Sequence, residues 1–399
     1  MNILLTSLQV PGAASGVRVH YERLATLLRA RGHRVTVVTQ DSLRPWVRRS
    51  IGGVRRGLGL LGPVGRRLGL ELGCVAEIYC AIDRAAAYDV VNAQDVSSGW
   101  AARLALRDRV PVVVTGHFNG DPAEEIIRQE GVTGLAATFL RRWYRLLFRR
   151  LRYFMAVSQS VLQQSGESLP PAVPRRVVYN GIDFAQFAQP QPSVGLRARF
   201  PGRHIVLNIG FLEARKNQHY LLAAAKALRQ HRQDFVIGLV GRGPDEASLR
   251  AQIATDNLED HVVLLGYHPN VAPWLQEADL YVHTALSESF GLVLVEAIAA
   301  GIPALAFALD GTREVLAGTP EALLDASAPP AALAYHLHTL LGDAPALRQL
   351  HAQQHAFALA HFEAAILVAN TLAFYELAQQ YAAGAPPPAL IEHAASSLS

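Results

Sequence analysis

Residues 286–303 read LSESFGLVLVEAIAAGIP, and the architecture of the chain follows from what flanks this stretch. A strand-like run, Leu280 to Thr284, leads into a turn of small and acidic residues, Ser287-Glu288-Ser289-Phe290-Gly291. An apolar, alanine-rich helix follows and stops at Gly301-Ile302-Pro303. A helix that starts straight after a strand leaves its first backbone N–H groups without intrahelical partners, which makes a seat for phosphate. Glu288 and Glu296 lie eight positions apart, so a carboxylate two turns into the helix can point back toward the turn. The plainer alternative is a buried α/β helix whose acids are surface residues.

Working outward, the same strand–turn–helix unit recurs. Ile3 to Ser7 is a short apolar strand, followed by the loop Gln9 to Gly16, a helix over Val17–Arg31 and a strand RVTVVT at Arg34–Thr39. Asp89–Asn92, Val110–Thr115 and Tyr153–Ser158 supply more strands in the first half. Pro190, Pro192 and polar residues to about Gly202 read as a linker. A second series has strands at Ile205–Ile209, Phe235–Val240, Val262–Leu265, Leu280–Thr284 and Ala304–Ala308, with helices between them. Short strands alternating with helices predict parallel sheets, in two Rossmann-like domains at 1–188 and 189–360. A C-terminal helix at 361–383, able to cross back onto the first domain, and a flexible tail at 384–399 complete the expected layout.

Composition narrows the function class. Half of the 399 residues are hydrophobic and 18% are charged, the balance of a globular chain with room for two cores. No apolar run reaches the roughly 20 residues of a membrane span. The start, Met1-Asn2-Ile3-Leu4-Leu5, runs straight into a strand without a secretory leader, and the two cysteines, Cys74 and Cys80, read as free thiols. A cytoplasmic protein, peripheral on the inner membrane face if its basic half docks there, is the expectation. Residues 1–190 hold 25 arginines, no lysine and 14 acids, a balance of +11, whereas residues 191–399 balance at −7. Such asymmetry suggests different partners for the two halves.

Two basic segments carry that charge, RPWVRRSIGGVRRGLGLLGPVGRR at Arg44–Arg67 and LRRWYRLLFRRLR at Leu140–Arg152. In the second, Leu140, Trp143, Tyr144, Leu147, Phe148 and Leu151 recur at helical spacing between arginines. It reads either as a helix lying on an anionic membrane surface or as a core helix with a solvated arginine face. No helix-turn-helix, zinc or RNA-binding signature accompanies the charge, so nucleic acid is not an expected partner.

Several stretches together resemble the retaining nucleotide-sugar glycosyltransferases of family 4. Asn208 to Asn217, NIGFLEARKN, is similar to the family's G-R-L-x-x-x-K loop, and Leu239 to Pro244 to its V-G-x-G-P turn. VVLLGY at Val262–Tyr267 resembles the strand that meets the nucleobase, ESFGLVLVE at Glu288–Glu296 the E-x7-E element, and Gly311–Val315 the G-G-x-x-E-V segment. In the first half, Gly12 to Gly16, Thr115-Gly116-His117, Val157-Ser158 and Asn180-Gly181-Ile182-Asp183 also match. The resemblance spans nearly the whole chain and is thin between 41 and 110.

This resemblance implies a GT-B fold, two Rossmann-like domains facing across a donor and acceptor cleft. It implies transfer of a sugar from a nucleoside-diphosphate donor to a glycan, lipid-linked or small-molecule acceptor, with retention and without a metal or other cofactor. Arg215 and Lys216 would take the growing charge of the diphosphate, Arg as a fork and Lys as a point charge. Backbone groups at Ser289, Phe290, Gly291 and Leu292 would hold it from the other side, with Gly16, Gly210, Gly243 and Tyr267 also on the donor. Glu296 would bond the ribose, Glu288 the sugar or its cationic transition state, and His117 the donor sugar. The sequence departs from the family at Phe211, where an arginine is usual, and at Asp310, where the pattern has a glycine. An epimerase or hydrolase of the same fold and a catalytically silent sugar-nucleotide binder are the alternatives. A dinucleotide oxidoreductase fits poorly, because Gly12 and Gly16 are four apart and Gln40 precedes Asp41.

Overall fold

A computed structural model describes residues 1–9, 15–166 and 168–384; Gly12 and the expected tail beyond its first residue lie outside the described residues. Two compact units emerge: Gly181–Ile366, and Met1–Asn180 joined by the chain from Leu367 onward. Each is built on one six-stranded, wholly parallel sheet.

In the first unit the strands are β1 (Asn2–Ser7), β2 (Arg34–Thr39), β3 (Val90–Ala93), β4 (Val112–Gly116), β5 (Tyr153–Ala156) and β6 (Arg175–Val177), in the order β2-β1-β3-β4-β5-β6. The second unit has β7 (His204–Ile209), β8 (Phe235–Val240), β9 (Val262–Gly266), β10 (Leu280–His283), β11 (Ala304–Phe307) and β12 (Leu323–Leu324), in the order β12-β11-β10-β7-β8-β9. Central strands such as β8, FVIGLV, are buried at every position, because helices cover both faces of a parallel sheet. In each unit the order reverses once, between β1 and β3 and between β7 and β10. Ligands of open α/β sheets bind outside the carboxyl ends of the strands at such a reversal.

The unit boundaries differ from the expected 188 and 360. The short helix Phe184–Ala188 belongs with the second unit: Ile182 bridges to Glu363, and the Phe184 ring meets His355 edge-on. The helix Ala364–Ala382 gives Leu367, Val368, Phe374, Tyr375 and Ala378 to the core of the first unit, alongside Ile3, Leu5, Leu24 and Val113. Each large side chain buried this way contributes about 1.5–3 kcal/mol.

The two basic segments fold differently from one another. Leu140, Trp143, Leu147 and Phe148 of the helix Gly134–Phe148 are buried in the first unit, with Trp143 against Trp100 at 5.3 Å between ring centres. Its apolar stripe is therefore committed to the core, and of the two readings the core helix with an arginine face is the one observed. The Arg- and Gly-rich segment forms two helices, Pro45–Gly59 and Gly62–Ala81. Gly65, Gly69 and Gly73 recur every fourth residue where the second helix meets the first. A methyl group on Gly65 would come within 2.4 Å of the Leu58 carbonyl, and one on Gly73 within 2.5 Å of the Arg55 side chain. These glycines allow close helix packing. No helix among the described residues is long and apolar enough to cross a membrane.

Candidate active site

The reversal between β7 and β10 is where the second unit concentrates its chemistry. After β7 the chain runs through Gly210–Glu213 into a tight turn, Ala214–Lys216, and after β10 it runs into the Ser287–Gly291 turn. Three hydrogen bonds stitch the two turns together. Leu286 N–H donates to the Arg215 carbonyl at 2.8 Å, the Thr284 hydroxyl to the Lys216 carbonyl at 3.0 Å, and Arg215 Nη1 to the Ser287 carbonyl at 2.9 Å.

Glycines let the neighbouring loops close in. A methyl group at Gly241 would sit 1.8 Å from the Gly210 carbonyl oxygen, and one at Gly243 would sit 2.1 Å from that of Leu212. Leu212 N–H also donates to the Arg242 carbonyl, so Gly243 acts by admitting the Gly210–Leu212 loop. On the other side, Gly311 N–H donates to the Glu288 carbonyl at 3.0 Å, and a methyl group there would fall 2.5 Å from Phe290 Cα. Asp310, where the family pattern has a glycine, takes a left-handed backbone with φ 42°.

Charge converges on Glu288. The Lys216 ammonium contacts Glu288 Oε2, His283 Nε2 lies 3.3 Å from the same oxygen and Arg215 Nη1 3.8 Å from it. Burial works to raise the Glu288 pKa, but Lys216, His283 and Arg215 outweigh it and hold the carboxyl far below its ordinary range. His283 is itself buried, and burial together with the charges of Lys216 and Arg215 lowers its pKa against the pull of Glu288, which favours the neutral imidazole. The ionised Glu288 can only accept, which favours the imidazole proton on Nε2; Nδ1 then faces the Tyr281 hydroxyl at 2.8 Å, which also reaches the Ile209 carbonyl at 3.3 Å. Arg215 is also paired with Glu213 at 2.8 Å.

The remaining donor candidates of the second unit lie on the segments that follow β9 and β10. Gly291, at φ 94°, caps the helix Leu292–Ala299, whose first turn includes Leu292. Ser289 is half-buried in the preceding turn. The Phe290 ring is core, edge-on to Phe362 at 5.2 Å. Glu296 is buried in the second turn. Burial, then the charge of Glu288, and more weakly that of Glu296, push the Tyr281 phenol pKa upward, which puts both carboxylates in one neighbourhood. Tyr267 follows β9, is 40% exposed and carries the Arg242 guanidinium 4.6 Å above its ring. Sequence reasoning missed His283; its signal was a histidine closing the apolar strand LYVH.

Gly16 and His117 belong to the first unit. Gly16 opens the helix Gly16–Ala30 behind its N-cap Ser15, and a methyl group there would meet nothing within 4 Å. His117 directly follows β4. Burial, then the neighbouring His20, lower its pKa well below 6.5, so the imidazole is neutral. The two rings meet edge-on at 4.8 Å. Burial and the charge of Arg23 bring His20 down to about 4.

Two Rossmann-like units, one carrying cations and carboxylates at its strand reversal, have the architecture of GT-B enzymes. Residues 14–186 match the family described as Glycosyltransferase Family 4, and residues 197–355 match Glycosyl transferases group 1. A phosphatidyl-myo-inositol mannosyltransferase of Mycolicibacterium smegmatis is 31% identical over 78% of this chain and 76% of its own. The corresponding protein of Mycobacterium leprae is 28% identical over 93% of this chain and 94% of its own. The crystal structure of Anabaena HepE in complex with UDP and glucose superposes with a TM-score of 0.68 at 22% identity, covering 94% of this chain and all of that one. The chain belongs to this glycosyltransferase family and is an enzyme, a glycosyltransferase.

Two outcomes follow from the charges. Lys216→Met takes the nearest cation from a largely buried carboxylate, leaving it Arg215 and His283, and is expected to destabilise the fold by about 3 kcal/mol, with Glu288→Gln in the same chain recovering much of that loss. Chemical denaturation of both single variants and the double variant measures the coupling. His20 binds its proton more weakly folded than unfolded, so its contribution is present above the unfolded value of 6.5 and is lost as pH falls toward 4. That loss is roughly 3 kcal/mol, and His20→Gln should flatten the fall of the unfolding midpoint across this window.

Proposed function

We propose that this enzyme transfers a sugar from a nucleoside diphosphate with retention of anomeric configuration and without a metal ion. The observation that carries the reading is the contact of Lys216 with Glu288 at the strand reversal, beside Arg215 and the start of the Leu292–Ala299 helix. A departing diphosphate needs positive charge that is already in place as the glycosidic bond breaks. Lys216, Arg215 and the N–H groups at Phe290–Leu292 supply it, and in that role they do what a divalent cation would do. As the diphosphate engages Lys216, the ammonium is shared and the ionised Glu288 is freed to face the developing charge on the anomeric carbon. His283 stays hydrogen-bonded to Glu288 and keeps its orientation. Glu296 takes the ribose and His117 the donor sugar; these two roles, like retention, rest on the family resemblance.

For the acceptor we favour a lipid-linked or sugar molecule, because both mannosyltransferase relatives are named for a phosphatidylinositol lipid. An anionic membrane surface then becomes a natural partner of the basic first half. The surface that fits it is the helix Pro45–Gly59 with the turn after it. No residue of that helix is buried, and Trp46, Val54, Leu60 and Leu61 are 65–88% exposed among its arginines. Arg48 is paired with Asp41, while among the described residues Arg49 and Arg56 have no acidic partner. Exposed aromatic and aliphatic groups next to arginine suit the boundary between headgroups and acyl chains.

With a panel of UDP-, GDP- and ADP-sugars, at least one donor should be hydrolysed or transferred. Activity should survive excess EDTA, the anomeric proton of the product should match that of the donor, and Lys216→Ala or Glu288→Ala should lower kcat at least a hundredfold. Loss of activity in EDTA, or inversion, would overturn the metal-free or the retaining assignment respectively. Separately, liposomes containing anionic lipid should retain the protein at low salt. Replacing Trp46, Leu60 and Leu61 by serine should abolish flotation, whereas replacing Arg141 and Arg142 should leave it largely intact; the reverse pattern would refute the assignment.

A further inference from the structure

The first unit contains a buried chain of hydrogen bonds that ends on His117 and that no role described so far uses. It begins at Tyr375, on the last helix, and runs through Asn92 and Gln94, at the end of β3 and just beyond it. Asn92 Nδ2 donates to the Tyr375 hydroxyl at 2.6 Å. Asn92 Oδ1 accepts twice at 2.8 Å, from the Thr115 hydroxyl and from Gln94 Nε2. Gln94 Oε1 lies 2.9 Å from His117 Nε2. Asn92, Gln94, Thr115 and Tyr375 are all at most 2% exposed.

The direction of this chain matters more than its length. With the amide of Gln94 committed to Asn92, the atom it turns toward His117 is a carbonyl oxygen, which can only accept. A neutral imidazole has one proton, and an acceptor beside Nε2 draws it there. Nδ1 is then left with its lone pair. In the structure this order starts at Asn92, whose amide N–H is turned to Tyr375 and whose oxygen receives two hydrogen bonds.

We propose that Gln94 is a positioning residue that fixes His117 in the Nε2–H tautomer, leaving Nδ1 as a hydrogen-bond acceptor for a hydroxyl of the donor sugar. This rests on the assignment of His117 to the donor. An acceptor at that place selects a group that carries a proton. A sugar hydroxyl qualifies, whereas the carboxylate of a uronic acid presents two acceptor oxygens to a lone pair and is disfavoured. The groups that face His117 are His20, from the Gly16–Ala30 helix, with Arg23 acting on His20 in turn. Neither provides an acceptor charge that would move the proton to Nδ1. The helix that supplies Tyr375 is thereby joined to the hydrogen-bonding character of a residue at the other end of the sequence.

The test is spectroscopic and uses the whole chain labelled with 15N-histidine. Long-range 1H–15N spectra distinguish protonated from bare ring nitrogens, and comparison with His117→Gln assigns the signal. Near neutral pH, His117 should show a bare Nδ1 and a protonated Nε2; a protonated Nδ1 would overturn the proposal. Gln94→Glu keeps an acceptor toward Nε2 but adds negative charge. It should move the His117 titration upward and raise the donor KM about tenfold at the pH where the imidazolium forms, the loss of about one hydrogen bond. Gln94→Leu should populate both tautomers. If tautomer and titration are the same in both variants as in the parent chain, Gln94 has no positioning role. The donor assignment fails separately: a bare Nδ1 together with an unchanged donor KM in His117→Gln would remove His117 from the donor and leave the hydrogen-bonded chain standing.

Discussion

A carboxylate and an ammonium held together at the end of two adjacent strands set the terms for the second unit. Taking both Glu288 and Lys216 largely out of water is costly, and the cost is offset only where geometry is good and further hydrogen bonds are made. The second unit meets that condition with backbone stitches between the turns after β7 and β10, with Arg215, and with a neutral His283 braced by Tyr281. The glycines at 241, 243 and 311 serve the same end, since each admits a neighbouring backbone that a side chain would push away. A diphosphate arriving there enters a site whose cations are already oriented, so little reorganisation remains when the bond breaks.

The distribution of charge makes sense on two scales. The second half of the chain is acidic overall, yet its strand reversal presents Arg215 and Lys216. Short-range pairing, and not the net charge, decides what a ligand meets there, because exposed charges farther off are screened within about 10 Å. In the first half Arg67 is buried against Glu71, but many of the other arginines lie on the surface. They line the exposed helix Pro45–Gly59 and the outer face of the helix Gly134–Phe148, whose apolar side is inside.

What could be read from the sequence was what is local along the chain. The strand–turn–helix units, the Glu288–Glu296 spacing and the Arg215-Lys216 turn are encoded within ten residues or so, and the motif resemblance adds the GT-B fold that the structural comparison shows. What escaped were partners far apart in sequence. Tyr375 meets Asn92 across 283 positions, and nothing in either segment announces the other. His283 reads as one more residue of an apolar strand until Glu288 is seen beside it. The amphipathic pattern at Leu140–Arg152 reported a buried face without saying what buries it. The Arg- and Gly-rich segment hid a helix pair, because glycine spaced every fourth residue for packing looks like glycine that breaks helices.

The first unit is assembled from both ends of the chain, and this constrains the order in which the protein can be made. Ile3, Leu5 and Leu24 leave the ribosome well before Phe374, Tyr375 and Ala378, which share their core. The second unit, by contrast, is one unbroken segment, Gly181–Ile366. Domains fold as units as soon as their residues are available. During synthesis the later-encoded unit is therefore the first to have all its parts, and the amino-terminal unit waits, with apolar strands uncovered, until the helix Ala364–Ala382 emerges.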